Sequence, residues 1–428
     1  MKFYKNIYLL VLFLATIILQ TRVYAQFEVG GEFRLRWYRD AYSQALDNRG
    51  NAGYTRMLGK INTSFTASDL VKFNVEMMNI DNESLPMPTR DFSGNGPFHF
   101  VVSQIYGEIV KPDFLGFDLV RLRAGRQQFQ LGNGLVFGES YYYFDKFDGG
   151  RLDLQLDPFN LTLFGAIYGQ EISSNGYWAQ EASDQIYVAK IGAMAFNQDL
   201  MLYGVINQPR GDYNDSYIVG GGSSGSFMND KLDYSFEAAY QKFNQPPGGP
   251  AKDGIGYMGD LGYKFPLGPF RTIKIETKYA AYQGDNTNTS KVEQFSPPFP
   301  DFDFGEKTGF VNQVVGGTYP HDDKNSEGTR IWYSRIYFVP RFFTKLRLQF
   351  QYTKVDPYTA RPDGYNEFDN EFEIKLYYTM NANTQFQIRY ERVIPNDVTK
   401  DLNHNSVISD TENRYYTDSF MAEIRLKF

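Results

Sequence analysis

Phe27-Glu28-Val29-Gly30-Gly31-Glu32-Phe33-Arg34-Leu35-Arg36-Trp37-Tyr38 is the first extended segment of the chain, and its alternation decides the fold. Phe27, Val29, Phe33, Leu35 and Trp37 share one face; Glu28, Glu32, Arg34 and Arg36 share the other. Successive side chains of a strand point to opposite sides, so this is a greasy face backed by a charged one. The chain ends the same way. Phe420, Ala422, Ile424, Leu426 and Phe428 alternate with Met421, Glu423, Arg425 and Lys427.

Between these ends lie similar segments, about eighteen in all, most of about 10–14 residues. Globular strands average about 5–6 residues. A tilted strand crossing a bilayer needs about 9–11. The connections alternate short and long. Ser68-Asp69, Asp157-Pro158, Asn197-Gln198, Asn229-Asp230 and Asn381-Ala382-Asn383 are short, whereas 40–53, 82–98, 128–146, 170–185, 284–328 and 395–414 are long. An up-and-down meander with one trimmed rim and one elaborated rim has this asymmetry. The expected fold is all-β: a transmembrane antiparallel β-barrel of about 18 strands, with both termini on the short-turn rim. A soluble sandwich or propeller would need Greek-key crossovers or a blade repeat, and no repeat of about 40–50 residues is present. Aromatic residues cluster near strand ends, as at Trp37, Tyr38, Trp332, Tyr333, Tyr390, Tyr415 and Tyr416, where membrane barrels carry interfacial girdles.

Composition excludes other classes. The chain has 428 residues, no Cys and three His, with 17% aromatic residues and a net charge of −7. The absence of Cys excludes disulfides, thiolate zinc sites and a cysteine nucleophile. The acidic balance argues against general nucleic-acid binding. A mean hydropathy of −0.45 excludes a bundle of spanning helices. Residues 1–25 read as a cleaved secretory signal. Lys2 and Lys5 precede the apolar run 7–19, and Val23-Tyr24-Ala25 offers small residues at −3 and −1. The barrel would then occupy 26–428, in the outer membrane of a Gram-negative bacterium. Its partners would be outer-membrane lipid and the barrel-assembly machinery, the latter reading the terminal aromatic strand. Oligomeric state is not legible.

If the apolar face meets lipid, the charged face lines a pore, because eighteen strands enclose an aqueous channel. About 18 bases and about 13 acids then line it, an excess of roughly five positive charges. Arg34, Arg36, Arg56, Arg121, Arg123, Arg151, Arg335, Arg347 and Arg389 are among the bases; Glu108 and Asp153 are among the acids. A low-dielectric wall focuses such a field toward anions, and the guanidinium fork suits carboxylates. The competing reading is a balanced ladder of cross-strand ion pairs.

Residues 124–153 carry a motif. Gly125-Arg126-Gln127 is followed by Gly132, Gly134-Leu135, Phe137-Gly138 and Phe147-Asp148-Gly149-Gly150-Arg151. With Gln104, Tyr106 and Glu108 on the preceding strand and the Arg-rich first strand, this resembles the alginate-export family of outer-membrane barrels. The resemblance implies passive passage of an anionic poly- or oligosaccharide through an arginine-lined lumen, and points to Arg34, Arg36, Arg123, Arg126 and Arg151. Arg126 has the lipid-facing parity of Val120, Leu122 and Ala124, so it enters the lumen only if Gly125 hosts a bulge; otherwise it sits at the rim. With no long periplasmic turn, any gate must come from the external loops.

The last long loop has oxygen donors at calcium-loop spacing: Asp401, Asn403, Asn405, the Val407 carbonyl, Ser409 and Glu412. Calcium is the one ion this pattern invites; no cofactor is required. Ser406 replaces the expected Gly, and a plain Asn/Asp surface loop is the alternative. Three functional readings follow: a channel for anionic solutes such as sugar acids or oligosaccharides, with a phosphate-type anion porin as its variant; a non-conducting binding or adhesion barrel; and a membrane-embedded enzyme. The enzyme needs a Ser–His or Asp–His constellation, and nothing around His99, His321 or His404 marks one.

Overall fold

The computed structural model describes residues 23–41, 52–80, 100–138, 147–168, 184–209, 215–244, 251–285, 292–298, 328–359, 369–395 and 417–428. They form nineteen strands: β1 Val23–Ala41, β2 Ala52–Ser68, β3 Val71–Ile80, β4 Phe100–Phe114, β5 Phe117–Gln127, β6 Phe147–Leu156, β7 Phe159–Tyr168, β8 Asp184–Ala195, β9 Gln198–Gln208, β10 Ser216–Phe227, β11 Leu232–Phe243, β12 Lys252–Leu267, β13 Phe270–Gln283, β14 Val292–Glu293, β15 Gly328–Pro340, β16 Leu346–Pro357, β17 Asp369–Asn381, β18 Thr384–Pro395 and β19 Thr417–Lys427.

Every long strand pairs antiparallel with its neighbours in sequence, β13 pairs with β15, and β1 pairs with β19. The result is a closed eighteen-strand antiparallel barrel. The two-residue β14 stands outside the ring and pairs in parallel with the start of β12. Among the described residues, closure leaves none of the eighteen long strands with an unpaired edge. The leader expected over 1–25 lies outside the described residues, except for the backbone of Val23–Ala25, which extends β1.

The connections from β2 to β3, β4 to β5, and so on are tight. At the β4–β5 turn Leu115 and Gly116 both take positive φ, 54° and 84°; at the β8–β9 turn Phe196 and Asn197 do so at 52° and 62°. Two consecutive left-handed residues twist the hairpin the way its strands twist. One bulge re-aims a wall strand. The β3–β4 register shifts at Glu76/Met77, and Ser103 Oγ there donates to the Glu76 carbonyl at 3.1 Å and to its carboxylate at 2.7 Å. Beyond it Gln104, Tyr106 and Glu108 face inward while Ile105 and Val102 face outward.

The outward face is apolar and uncovered by protein: Leu202 is 70% exposed and Val219 67%. Rings band it at two heights. Near the short turns, Phe65 stacks on Phe73, Phe227 on Tyr234, and Phe343 on Tyr378. Near the long loops, Trp37 meets Phe420 edge-on, and Trp332 meets Tyr352. An apolar belt between two aromatic girdles is what a lipid annulus covers.

Candidate functional site

The inner wall is a ladder of ion pairs set by cross-strand register. Glu32, Lys60, Arg34, Arg36, Glu423 and Arg425 project from the same side of β1, β2 and β19, because directly opposed residues share a face. Arg34 bonds Glu32, and Arg425 donates to the same carboxylate at 2.8 Å. Arg36 pairs with Glu423, and Lys60 lies 2.8 Å from Glu76. On β4 and β5, Arg123 sits 2.7 Å from Glu108 and 4.3 Å over the Tyr106 ring; Arg121 reaches the same carboxylate at 3.9 Å. Arg151 pairs with Asp153 at 2.9 Å. Across the bore, Glu276 holds Lys274 at 2.6 Å and Arg335 at 3.3 Å. Thus Glu32, Glu108 and Glu276 each serve two cations.

The β17–β18 wall is the reverse. Glu371, Glu373 and Glu391 are buried, with carboxylate oxygens within 4.8 Å of one another. Two cations stand among them. Lys375 is 2.8 Å from Glu373, and Arg389, only 1% exposed, is 3.9 Å from Glu373 and 3.6 Å from Glu391. Toward the short turns the cations open to the lumen. Arg347 lies 4.1 Å over Tyr377 and 5.4 Å from Tyr337, with no carboxylate within ion-pairing distance among the described residues. Arg121 is 37% exposed.

Of the residues singled out in the sequence, Arg34, Arg36, Arg121, Arg123, Arg151, Arg335, Arg347, Arg389, Glu108 and Asp153 project into the lumen. Arg56 stands opposite Arg36 in the register. Arg126 does not enter the lumen. The β4–β5–β6 register runs unbroken through Gly125 and places Arg126 opposite Ile105 and Asp148, on the outward face. There it makes a bidentate pair with Asp148, both contacts at 2.7 Å. Gly125 is required for a different reason: its φ is +126°, and a Cβ there would lie 2.3 Å from the Ile105 carbonyl. Asp401, Asn403, Asn405, Val407, Ser409 and Glu412 lie outside the described residues, as do His99, His321 and His404.

The Gly-rich segment after β5 folds inward and lies along the wall. Phe129, Leu131, Leu135, Val136 and Phe137 are buried against Phe147, Phe164, Ile186, Val188, Tyr203 and Val205 of β6 to β9. Phe129 stacks on Phe164 with centroids 4.2 Å apart. Its far anchor is Glu237 on β11, 0% exposed. The Asn133 amide donates to Glu237 Oε2 at 2.7 Å, and the Tyr203 hydroxyl donates to Oε1 at 2.7 Å. A Cβ on Gly132 (φ +59°) would lie 2.2 Å from Met201 Cε and 2.7 Å from Glu237 Oε2. A second segment, 292–298, lies on the inner face of β11 to β13. Phe295 covers Gly256, and the Ser296 amide donates to Gln241 at 2.7 Å while Gln241 Nε2 donates back to the Ser296 carbonyl at 3.0 Å.

Strand alternation alone does not reveal this docking. On β7 both faces are apolar, with Leu161, Leu163 and Ile167 outward and Phe164 and Ala166 inward, so the pattern reads the same whether lipid or a folded-in loop covers the inner side. The one signal in the sequence is the Gly132–Gly134 spacing of the motif quoted above.

The fold has solved counterparts. The chain superposes on Pseudomonas aeruginosa OccK8 (OprE) with a TM-score of 0.58 and 12% identity, covering 94% of this chain and 98% of that one. It superposes on OccK9 (OpdG) of the same organism with a TM-score of 0.58 and 11% identity, covering 94% and 99%. A substituted form of OccD1 (OprD) gives 0.52 and 14%, covering 96% and 98%. At these identities the likeness establishes the architecture. No protein-family model and no curated protein sequence matches the chain. The resemblance to the alginate-export family therefore rests on the residues quoted for it.

Proposed function

We propose that the chain is a passive outer-membrane channel for anionic solutes, with sugar acids and their oligosaccharides, alginate included, as the substrate class. The observation that carries this reading is the sharing of Glu32, Glu108 and Glu276 by two cations each, with Arg121 and Arg347 open to the lumen. Glu108 serves two guanidinium groups, Arg121 and Arg123, and Arg347 has no carboxylate within ion-pairing distance among the described residues, so positive charge faces the bore at these positions and a low-dielectric wall projects it inward. A solute carboxylate completes the pairing with fork geometry. The apolar belt and two girdles support the membrane placement, and the fold counterparts, outer-membrane porins, support a channel. The segments after β5 and before β15 pack on the inner wall and take up part of the lumen.

The test is the reversal potential of the purified protein in a planar bilayer under a salt gradient. Anion preference, with block by uronate oligosaccharides, is expected. Cation preference would mean that the Glu371–Glu373–Glu391 wall governs permeation. No conductance would favour a non-conducting barrel held shut by the 128–138 segment.

A further inference from the structure

Outside the lumen, on the outward face of β13, β15 and β16 near the long-loop rim, Tyr279, Arg330, Trp332, Lys354 and Asp356 line a cleft of about 100 Å³. Two register rows build it. Tyr279, Trp332 and Lys354 are directly opposed along the lower row; Ala281, Arg330 and Asp356 along the upper. Ala281 has outward parity yet is fully buried, because the larger side chains around it close over a floor one methyl deep. Trp332 is fixed by its Nε1, which donates to Thr277 Oγ1 at 2.9 Å, and by its edge contact with Tyr352. Lys354 lies 3.2 Å from Asp356, so that carboxylate is already engaged, and the lining carries two cations to one anion.

We propose that this cleft binds the phosphorylated headgroup of an outer-leaflet glycolipid. The inference rests on reading the outward face as lipid-facing. Trp332 belongs to the upper aromatic girdle, and girdle rings sit at headgroup height. Arg330 and Lys354 are therefore at the depth where lipid phosphates lie, and neither can reach the lumen through the wall. Guanidinium and ammonium groups side by side suit a phosphate monoester, the Arg through its fork and the Lys as a point charge. Trp332 and Tyr279 offer flat apolar faces against which a sugar ring packs. A channel function makes no use of these residues.

The test titrates detergent-solubilised protein with mixed micelles of diphosphoryl lipid A, of the same glycolipid dephosphorylated, and with inorganic phosphate, following tryptophan fluorescence. The Trp332→Phe variant isolates the contribution of that ring from Trp37 and Trp178. Saturable quenching by the phosphorylated lipid is expected. It should be about tenfold weaker in the Arg330→Ala/Lys354→Ala double variant, as loss of charge-assisted contacts to one phosphate requires. Asp356→Asn, which removes the competing carboxylate and keeps the shape, should tighten it. Equal binding of the dephosphorylated lipid, or an unchanged affinity in the double variant, overturns the site. Inorganic phosphate binding as tightly as the lipid overturns the lipid assignment. A double variant that inserts into bilayers with wild-type conductance but loses the quenching supports the site. Failure of the wild type to insert would overturn the membrane reading itself, a distinct outcome.

Discussion

Gly31 and Phe428 exchange both backbone hydrogen bonds, at 2.9 Å and 3.1 Å, so the last residue of the chain seals the barrel against its first strand. The Phe428 ring lies over Gly31, where a Cβ would come within 2.5 Å of Cζ and of the Lys60 carbonyl. Gly31→Val therefore pushes the terminal aromatic off the seam. The expected outcome is a sharply lower yield of heat-modifiable, folded barrel on refolding into detergent. Phe428→Leu, which keeps an apolar terminus, should fold nearly as well. Equal folding of Gly31→Val and wild type would contradict the seam.

Leu348 and Arg347 test which face meets lipid. Leu348 stands opposite Leu376 and Phe338 on the outward face, and Arg347 lies over Tyr377 inside. An arginine near the bilayer midplane costs about 2–4 kcal/mol. Leu348→Arg should lower unfolding free energy in lipid by that amount, while Arg347→Leu should leave it within about 0.5 kcal/mol and reduce anion preference. The opposite pattern in urea titrations would invert the wall.

Glu237 anchors the inward segment. Glu237→Gln keeps the size but weakens two charge-assisted hydrogen bonds, from the Asn133 amide and the Tyr203 hydroxyl, each worth about 1.5–3 kcal/mol to a charged acceptor. The segment should undock more often, seen as larger or noisier single-channel conductance and as protease cleavage within 128–138. Tyr203→Phe removes one of the two and should give an intermediate effect. Unchanged conductance in both would mean that the segment does not border the conducting path.

Strand number, the alternating short and long rims, and the inward parity of nearly every arginine were readable because a barrel wall separates two media, so each strand carries the same two-residue signature. The inner apolar surface formed by Phe164, Ile186, Val188 and Tyr203 was not readable. An inward loop and a lipid annulus demand the same side chains, and periodicity cannot tell which of them covers a face. The double service of Glu32, Glu108 and Glu276 was equally hidden: Arg34 and Lys274 lie two residues from their carboxylates, but Arg425, Arg335, Arg121 and Arg123 come from neighbouring strands whose register the sequence does not state. The inward assignment of Arg126, taken from the motif it belongs to, fails on its own parity. Only a bulge at Gly125 could have reversed that parity, and the strand pairing there is regular.

Arg126 and Arg123 together give the most discriminating test of that register. They are three residues apart on β5, yet one faces Asp148 outside and the other Glu108 inside. Arg123→Gln removes a lumen cation and leaves Glu108 with Arg121 alone, at 3.9 Å. The reversal potential should shift toward cations, and stability should fall by about 1–3 kcal/mol, because a half-buried carboxylate loses its closest donor. Arg126→Gln removes an outward pair that is partly exposed, where ion pairs contribute about 0–1 kcal/mol. Its reversal potential should match wild type. Measured side by side under one salt gradient, a shift for Arg126→Gln as large as for Arg123→Gln would require β5 to be bulged, and would return Arg126 to the permeation path.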